Sequence, residues 1–282
     1  MSSSILVGVG LAASAALVQT LIHASLKATG DQIALRALIG IVSVAVCLPL
    51  AIYAGVPGAD TWRWLAASTV VHLLFKITII QAYRRSDFSA AYPVMRGLVP
   101  IVSVGSGWLV LGESITITSA AGVLLSGAAL AYLSFRDARS AHGWAPAVIA
   151  GGLAAAYSVI DAAGVRSSPD PLVFIAWFFV LEGVTMVAVA ILWHRDRLAG
   201  QLRIQWRTGV ICGAATLISY SASLISFKLL PLSASSALHL SSVIFSVVVA
   251  RVVLAEPVSR SRWVAATLVF AGAVLVVAGL RR

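Results

Sequence analysis

The sequence predicts an all-α polytopic membrane protein, with ten transmembrane helices arranged as two inverted five-helix repeats. Three observations lead there. Of the 282 residues, 60% are hydrophobic and only 11% are charged, whereas a soluble domain carries about 25% charged residues. Too few polar side chains are present to cover a water-facing surface. Apolar runs of about 20 residues recur from end to end, each long enough to cross the hydrocarbon core as a helix. Finally, one two-helix unit is written twice. An apolar run with Arg96 and Pro100 closes on Leu111-Gly112-Glu113 and is followed by a run with Ser126-Gly127-Ala128. An apolar run with His239 closes on Leu254-Ala255-Glu256 and is followed by a run with Ala271-Gly272-Ala273. A β-barrel would need polarity alternating at period two, and the stretch 243–249 does not alternate.

The spans follow in order. The first, 5–26, has no basic residue before it and no evident cleavage site, so it is expected to be a retained helix rather than a signal peptide. The second is 33–54. The third, 62–83, carries His72 and Lys76. The fourth, 90–111, carries Arg96 between Pro93 and Pro100, and the fifth, 116–135, is rich in small residues. The sixth, 146–165, holds Asp161; the seventh, 172–193, holds Glu182; the eighth, 208–227, holds Tyr220 and Ser223. The ninth, 233–254, holds His239, and the tenth is 262–280. Connections are short and carry Gly, Pro, Ser or Asp as breakers. The longest polar connection is 194–207.

The net charge is +10. Most Arg and Lys lie in the connections, which points to anionic lipid head groups and topology signalling rather than to nucleic acid. Cys47 and Cys212 lie inside apolar runs and read as core residues, not as a disulfide or metal pair.

The midpoint divides the chain into a first repeat, 1–139, and a second, 140–282. Gly10-Leu11-Ala12-Ala13 aligns with Gly152-Leu153-Ala154-Ala155, which sets Gln19 opposite Asp161. Phe88-Ser89-Ala90-Ala91 aligns with Leu232-Ser233-Ala234-Ser235, which sets His72 and Lys76 opposite Thr216 and Tyr220. With one residue gapped, Arg96 falls opposite His239. An odd number of spans per half forces opposite insertion, and inverted repeats place a transport site at their interface near mid-membrane.

On these residues the whole chain resembles the EamA-type ten-helix members of the drug/metabolite transporter superfamily. The five-plus-five layout, the paired fourth and fifth helices of each half, and the Gly112-Glu113 and Ala255-Glu256 corners carry the likeness. Family members often have Glu-Pro inside the fourth helix of a repeat. Here Val99-Pro100 and Ser242-Val243 stand at those places, so a substrate role tied to that glutamate does not transfer. The resemblance implies export or exchange of small metabolites, amino acids or drugs across the cytoplasmic (inner) membrane. It also implies cytoplasmic termini. The Lys and Arg distribution argues the opposite: Arg84, Arg85, Arg197, Arg203 and Arg207 are among the many on the side away from the termini.

An ionisable residue deep in a span is a functional candidate. His72 and Lys76, four apart, share a helix face. Lys76 is near mid-membrane and reads as a substrate-anion anchor or as half of an ion pair with Glu182 or Asp161. Arg96 has a fork suited to carboxylate or phosphate, with snorkelling to the interface as its bland reading. His239 occupies the matching place in the second repeat. Gln19 and Tyr220 can supply neutral hydrogen bonds, and Trp177 and Tyr157 aromatic walls. Glu182 and Asp161 are the candidates for proton coupling, because a carboxylate held away from water favours its neutral form. Glu113, Glu256, Lys27 and Arg251, near span ends, read as anchors or caps. Small residues such as Gly122 and Gly272 allow close helix packing, either at a homodimer seam or within the chain.

The expected function is secondary-active transport of a small solute with an anionic group, coupled to a proton or a counter-substrate, with the lipid bilayer as the other partner. A multidrug or lipid-head-group transporter of the same fold is the alternative. An intramembrane enzyme is disfavoured, since no phosphate loop, His-Glu-x-x-His or Gly-x-Ser-x-Gly motif occurs. A scaffold would pair off every buried charge and leave no cavity. No cofactor or metal is expected.

Overall fold

The computed structural model describes residues 3–113, 116–136, 141–194 and 196–279. Every regular element among them is helical: α1 (Ser3–Ala28), α2 (Gln32–Ala54), α3 (Ala59–Arg85), α4 (Phe88–Leu111), α5 (Ile117–Arg136), α6 (Ala141–Ser167), α7 (Pro171–His194), α8 (Leu198–Leu229), α9 (Leu232–His239), α10 (Ser241–Val252) and α11 (Arg260–Gly279). Among the described residues nine spans, with α9 and α10 taken together as one, are long and apolar enough to cross a membrane; α5 contributes a shorter apolar stretch, Ile117–Ala129. Exposed aliphatic side chains such as Leu109, Leu124 and Ile218 cover the outside, while Asp161, Glu182, Arg36 and Arg96 are buried. Polar groups inside and apolar groups outside is the distribution a lipid solvent requires.

Two elements depart from the sequence expectation. The polar stretch after 197 is not a connection but the first turns of α8. Leu198 and Leu202 pack on the cluster around Ile33, Ile80 and Met186, and Thr29 donates to Gln205 at 2.7 Å. Burying those leucines offsets the polarity of their neighbours. The ninth span is broken at Leu240, whose N–H turns back to the Ala237 carbonyl at 3.0 Å, so His239 ends one short helix and α10 starts afresh.

The helices pack in pairs that remain the same pairs when the halves are exchanged. α2 lies on α7, and α5 on α11; α3 packs on α6 as α1 packs on α8; α4 packs on α6 as α9 and α10 pack on α1. The most extensive pairs join one half to the other. The α2–α7 crossing is close because it is built on two glycines: a Cβ on Gly40 would sit 2.9 Å from the Gly183 carbonyl oxygen. At the α5–α11 seam a Cβ on Gly122 would run into the Gly272 carbonyl, so these small residues serve packing within the chain.

The repeated corners are also built alike. Gly112 (φ 65°) and Ala255 (φ 54°) are left-handed. The N–H groups of Glu113 and Glu256 return to the Gly107 and Ala250 carbonyls, each at 2.9 Å. Each glutamate then caps a helix of the other half. Glu113 accepts the Leu232 N–H at 2.7 and 2.9 Å at the start of α9, and takes Arg166 at 2.8 Å. Glu256 accepts the N–H groups of Phe88 and Ser89 at 2.9 and 3.0 Å at the start of α4. A carboxylate there satisfies orphan donors and faces the positive end of the helix. Cations close the opposite kind of end. Lys27 donates to the Tyr83 and Ser86 carbonyls at 2.5 and 2.8 Å after α3. Arg166 donates to those of Phe227 and Leu230 at 2.9 and 3.0 Å after α8.

Candidate functional site

Between these pairs lies a cavity of about 120 Å³, lined from α1, α2, α3, α4, α6, α7 and α8. It spans mid-membrane and the half of the bundle away from the termini, since it is reached by Leu26 near the end of α1 and Arg36 near the start of α2. Its walls are Phe75, Tyr157, Phe178 and Phe179; its ionisable members include His72, Lys76, Arg96, Glu182, His23 and Arg36. Toward the termini it is closed by an apolar layer that includes Leu65, Phe174, Leu224 and Phe227.

His72 and Lys76 share a face of α3, as their spacing requires. Lys76 Nζ bonds Glu182 Oε2 on α7. His72 Nε2 lies 3.0 Å from Asp161 Oδ2 and 3.2 Å from the Tyr220 hydroxyl, and its Nδ1 is 3.9 Å from Glu182 Oε2. The imidazole stacks on Tyr157 with centroids 4.0 Å apart. Asp161, fully buried, is held by three donors from two helices: Ser68 at 2.5 Å and His72 on α3, and the Tyr220 hydroxyl on α8. It stands behind His72 rather than among the cavity-lining residues. Glu182 differs, because its Oε1 is buried without a hydrogen-bond partner.

A second network runs from Arg96. Its Nη2 donates to Gln19 Oε1 at 2.5 Å and its Nε to the Tyr92 hydroxyl at 3.2 Å. Gln19 Nε2 donates to Ser223 at 2.9 Å, and Ser223 Oγ lies 2.9 Å from His239 Nε2. His239 Nδ1 faces the Ser235 carbonyl at 2.8 Å, so Nδ1 carries the hydrogen and Nε2 accepts in the neutral ring. Arg96 is buried, which rules out the snorkelling reading. His239 does not line the main cavity; it lines a smaller neighbouring one that shares Gln19, Arg96, Tyr157 and Tyr220 with it.

The structure thus brings His72, Lys76, Arg96, Gln19, Tyr220 and Glu182 to one cavity, with Asp161 one hydrogen bond behind and His239 two behind, through Ser223 and Gln19. Trp177 is a correction. Its indole N–H bonds the Gly55 carbonyl at 2.8 Å and its ring packs on Trp62, at the end of α7 nearer the termini. It sits there because a buried indole N–H needs an acceptor, and the turn after α2 offers one. Two ionisable lining residues, Arg36 and His23, were absent from the sequence reading. Among the described residues no group of His, Cys, Asp and Glu is arranged to hold a metal ion, and Cys47 and Cys212 are separate buried thiols.

A multi-pass helical bundle enclosing a polar, partly charged cavity between two pseudo-symmetric halves is the build of a membrane transporter of small molecules. Residues 143–278, most of the second half of the chain, match the model of the EamA-like transporter family of the drug/metabolite transporter superfamily. Members of the family are transporters rather than enzymes. A solved crystal structure, titled only as that of a protein, superposes with a TM-score of 0.72 at 20% identity, over 100% of this chain and 99% of the other; at that identity the likeness is one of fold. No curated protein matches the sequence.

Proposed function

We propose that the protein is a secondary-active transporter of the cytoplasmic (inner) membrane that moves a small solute bearing an anionic group, by export or exchange. The observation that carries this reading is the charge balance of the cavity. Lys76 is answered by Glu182, and Asp161 is answered by His72, Tyr220 and Ser68. Arg96 and Arg36 also line the cavity, and among the described residues neither has a carboxylate at ion-pair distance. Two buried guanidiniums without an anion favour a ligand that brings one.

Because the halves interleave, a half cannot move as a block. The packing favours mixed bodies instead: α3, α4 and α6 against α1, α2, α7 and α8. The cavity takes Lys76, Arg96 and Tyr157 from the first body and Gln19, Arg36, Glu182 and Tyr220 from the second. Rocking of one body on the other gives alternating access around a fixed site. Glu182, with one oxygen on Lys76 and the other unpartnered, is the proton-coupling group; Asp161, saturated with donors, positions His72. Proteoliposome uptake of small labelled carboxylates and amino acids tests this. Uptake lost in Lys76→Ala and Arg96→Ala, with both variants folded, is expected. Transport of lipophilic cations alone, or wild-type anion uptake in both variants, overturns it.

A further inference from the structure

We infer that Arg36 is the oxyanion anchor of this cavity: its open fork docks the carboxylate of a small solute, and a hydrogen-bond donor beside that carboxylate meets Glu182 Oε1. The inference rests on the proposed transport of an anionic solute and names the residue and the ligand chemistry.

Three cations line the cavity, and two are already engaged with protein partners. Lys76 is on Glu182. Arg96 has spent Nε and Nη2, the two parallel donors of its side-on fork, on Tyr92 and Gln19. In Arg36 those same two atoms, Nε and Nη2, are buried without a partner, and the residue is only 8% exposed. Parallel N–H pairs of this kind take a carboxylate in two matched hydrogen bonds, and leaving them unmade is costly. The placement is not a lipid-facing accident. Asp31 caps α2 one turn earlier, accepting from Ile33 and Ala34 at 3.1 and 3.0 Å, and the first turns of α8 cover that end of α2 through Leu198 and Leu202.

The third unpartnered atom of the lining is an acceptor, Glu182 Oε1. It lies on α7, which packs closely on α2, so a solute with a carboxylate at one end and an ammonium or hydroxyl next to it meets both groups. The size agrees. A cavity of about 150 Å³ holds a benzene, so one of about 120 Å³ admits a solute of about six non-hydrogen atoms. The aromatic walls suit a short apolar remainder.

The test is thermal unfolding of the detergent-purified full chain, titrated with L-lactate, L-alanine, propionate and lactamide. Lactate or alanine is expected to raise the melting temperature by mass action. Lactamide, without the carboxylate, and propionate, without the donor, are expected to do so far less. Arg36→Lys keeps the charge but not the fork and is expected to weaken binding about tenfold or more; Arg36→Met is expected to abolish it. Glu182→Gln is expected to erase the advantage over propionate. If Arg36→Met does not fold, Arg36→Lys carries the test. Equal titrations in wild type and Arg36→Lys, with loss in Arg96→Lys, overturn the assignment and leave anion transport standing. No shift from any carboxylate on the wild type, with shifts from lipophilic cations, sinks both.

Discussion

Replacing Glu182 by Gln strips the anion from a buried pair and leaves Lys76 facing a neutral amide. The two side chains are 7% and 18% exposed, so the remaining ammonium is poorly solvated. Removing one partner of a buried pair costs about 3–5 kcal/mol. For a chain of roughly this size each kcal/mol moves the melting temperature by about 2–4 °C, so Glu182→Gln is expected to lower it by roughly 6–20 °C. Lys76→Met leaves Glu182 uncompensated and carries a similar loss. The double variant Lys76→Met/Glu182→Gln removes both charges and is expected to be well short of the sum, with a coupling of about 1–3 kcal/mol. Thermal unfolding of the four proteins in one detergent closes the cycle. Strict additivity would refute the ion pair as a stabilising contact. Exchange in proteoliposomes adds an independent readout: if Glu182 is the coupling group, Glu182→Gln loses the pH dependence of transport, and a variant that keeps the wild-type pH profile rules that role out.

Tyr220→Phe removes one donor from Asp161 and the hydroxyl beside His72; about 1–3 kcal/mol is the expected stability loss, measured by thermal unfolding, with transport slowed rather than abolished. Glu113→Ala uncaps α9 and frees Arg166. It is expected to cost about 1–2 kcal/mol, and an unchanged melting temperature would show that the cap is dispensable. Gly40→Val pushes a side chain into the Gly183 backbone. Overpacking there is expected to cost about 1–3 kcal/mol or more and to widen the α2–α7 crossing, which cysteine cross-linking across the two helices reads directly.

The spans were legible because lipid imposes length and polarity on every helix, and the halves were legible because the corners at Gly112-Glu113 and Ala255-Glu256 repeat. His72, Lys76, Arg96 and Glu182 stood out as charges in mid-span, and all four line the cavity. Arg36 did not, because it lies close to the start of α2, where an arginine reads as a head-group anchor. The early turns of α8 pack on that end of α2, and their polar sequence concealed a helix. A stretch with few breakers and leucines four apart at 198 and 202 was the available signal. Trp177 was placed by composition alone, and nothing in the sequence says that its N–H finds Gly55. Likewise the sequence shows two glutamates at corners but not that each caps a helix of the other half.

Those crossed caps bear on how the protein is made. The N–H groups of Phe88 and Ser89 wait for Glu256, a residue 168 positions later in the chain. While the first half is being synthesised, the start of α4 has no carboxylate to close it, and α2, α3 and α5 have no α7, α6 or α11 to lie against. The early spans therefore enter the bilayer as helices without their final neighbours, and tertiary structure forms late, after the second half has inserted. The first half produced alone is expected to be labile and quickly degraded, and the two halves produced as separate chains in one cell are expected to rescue each other.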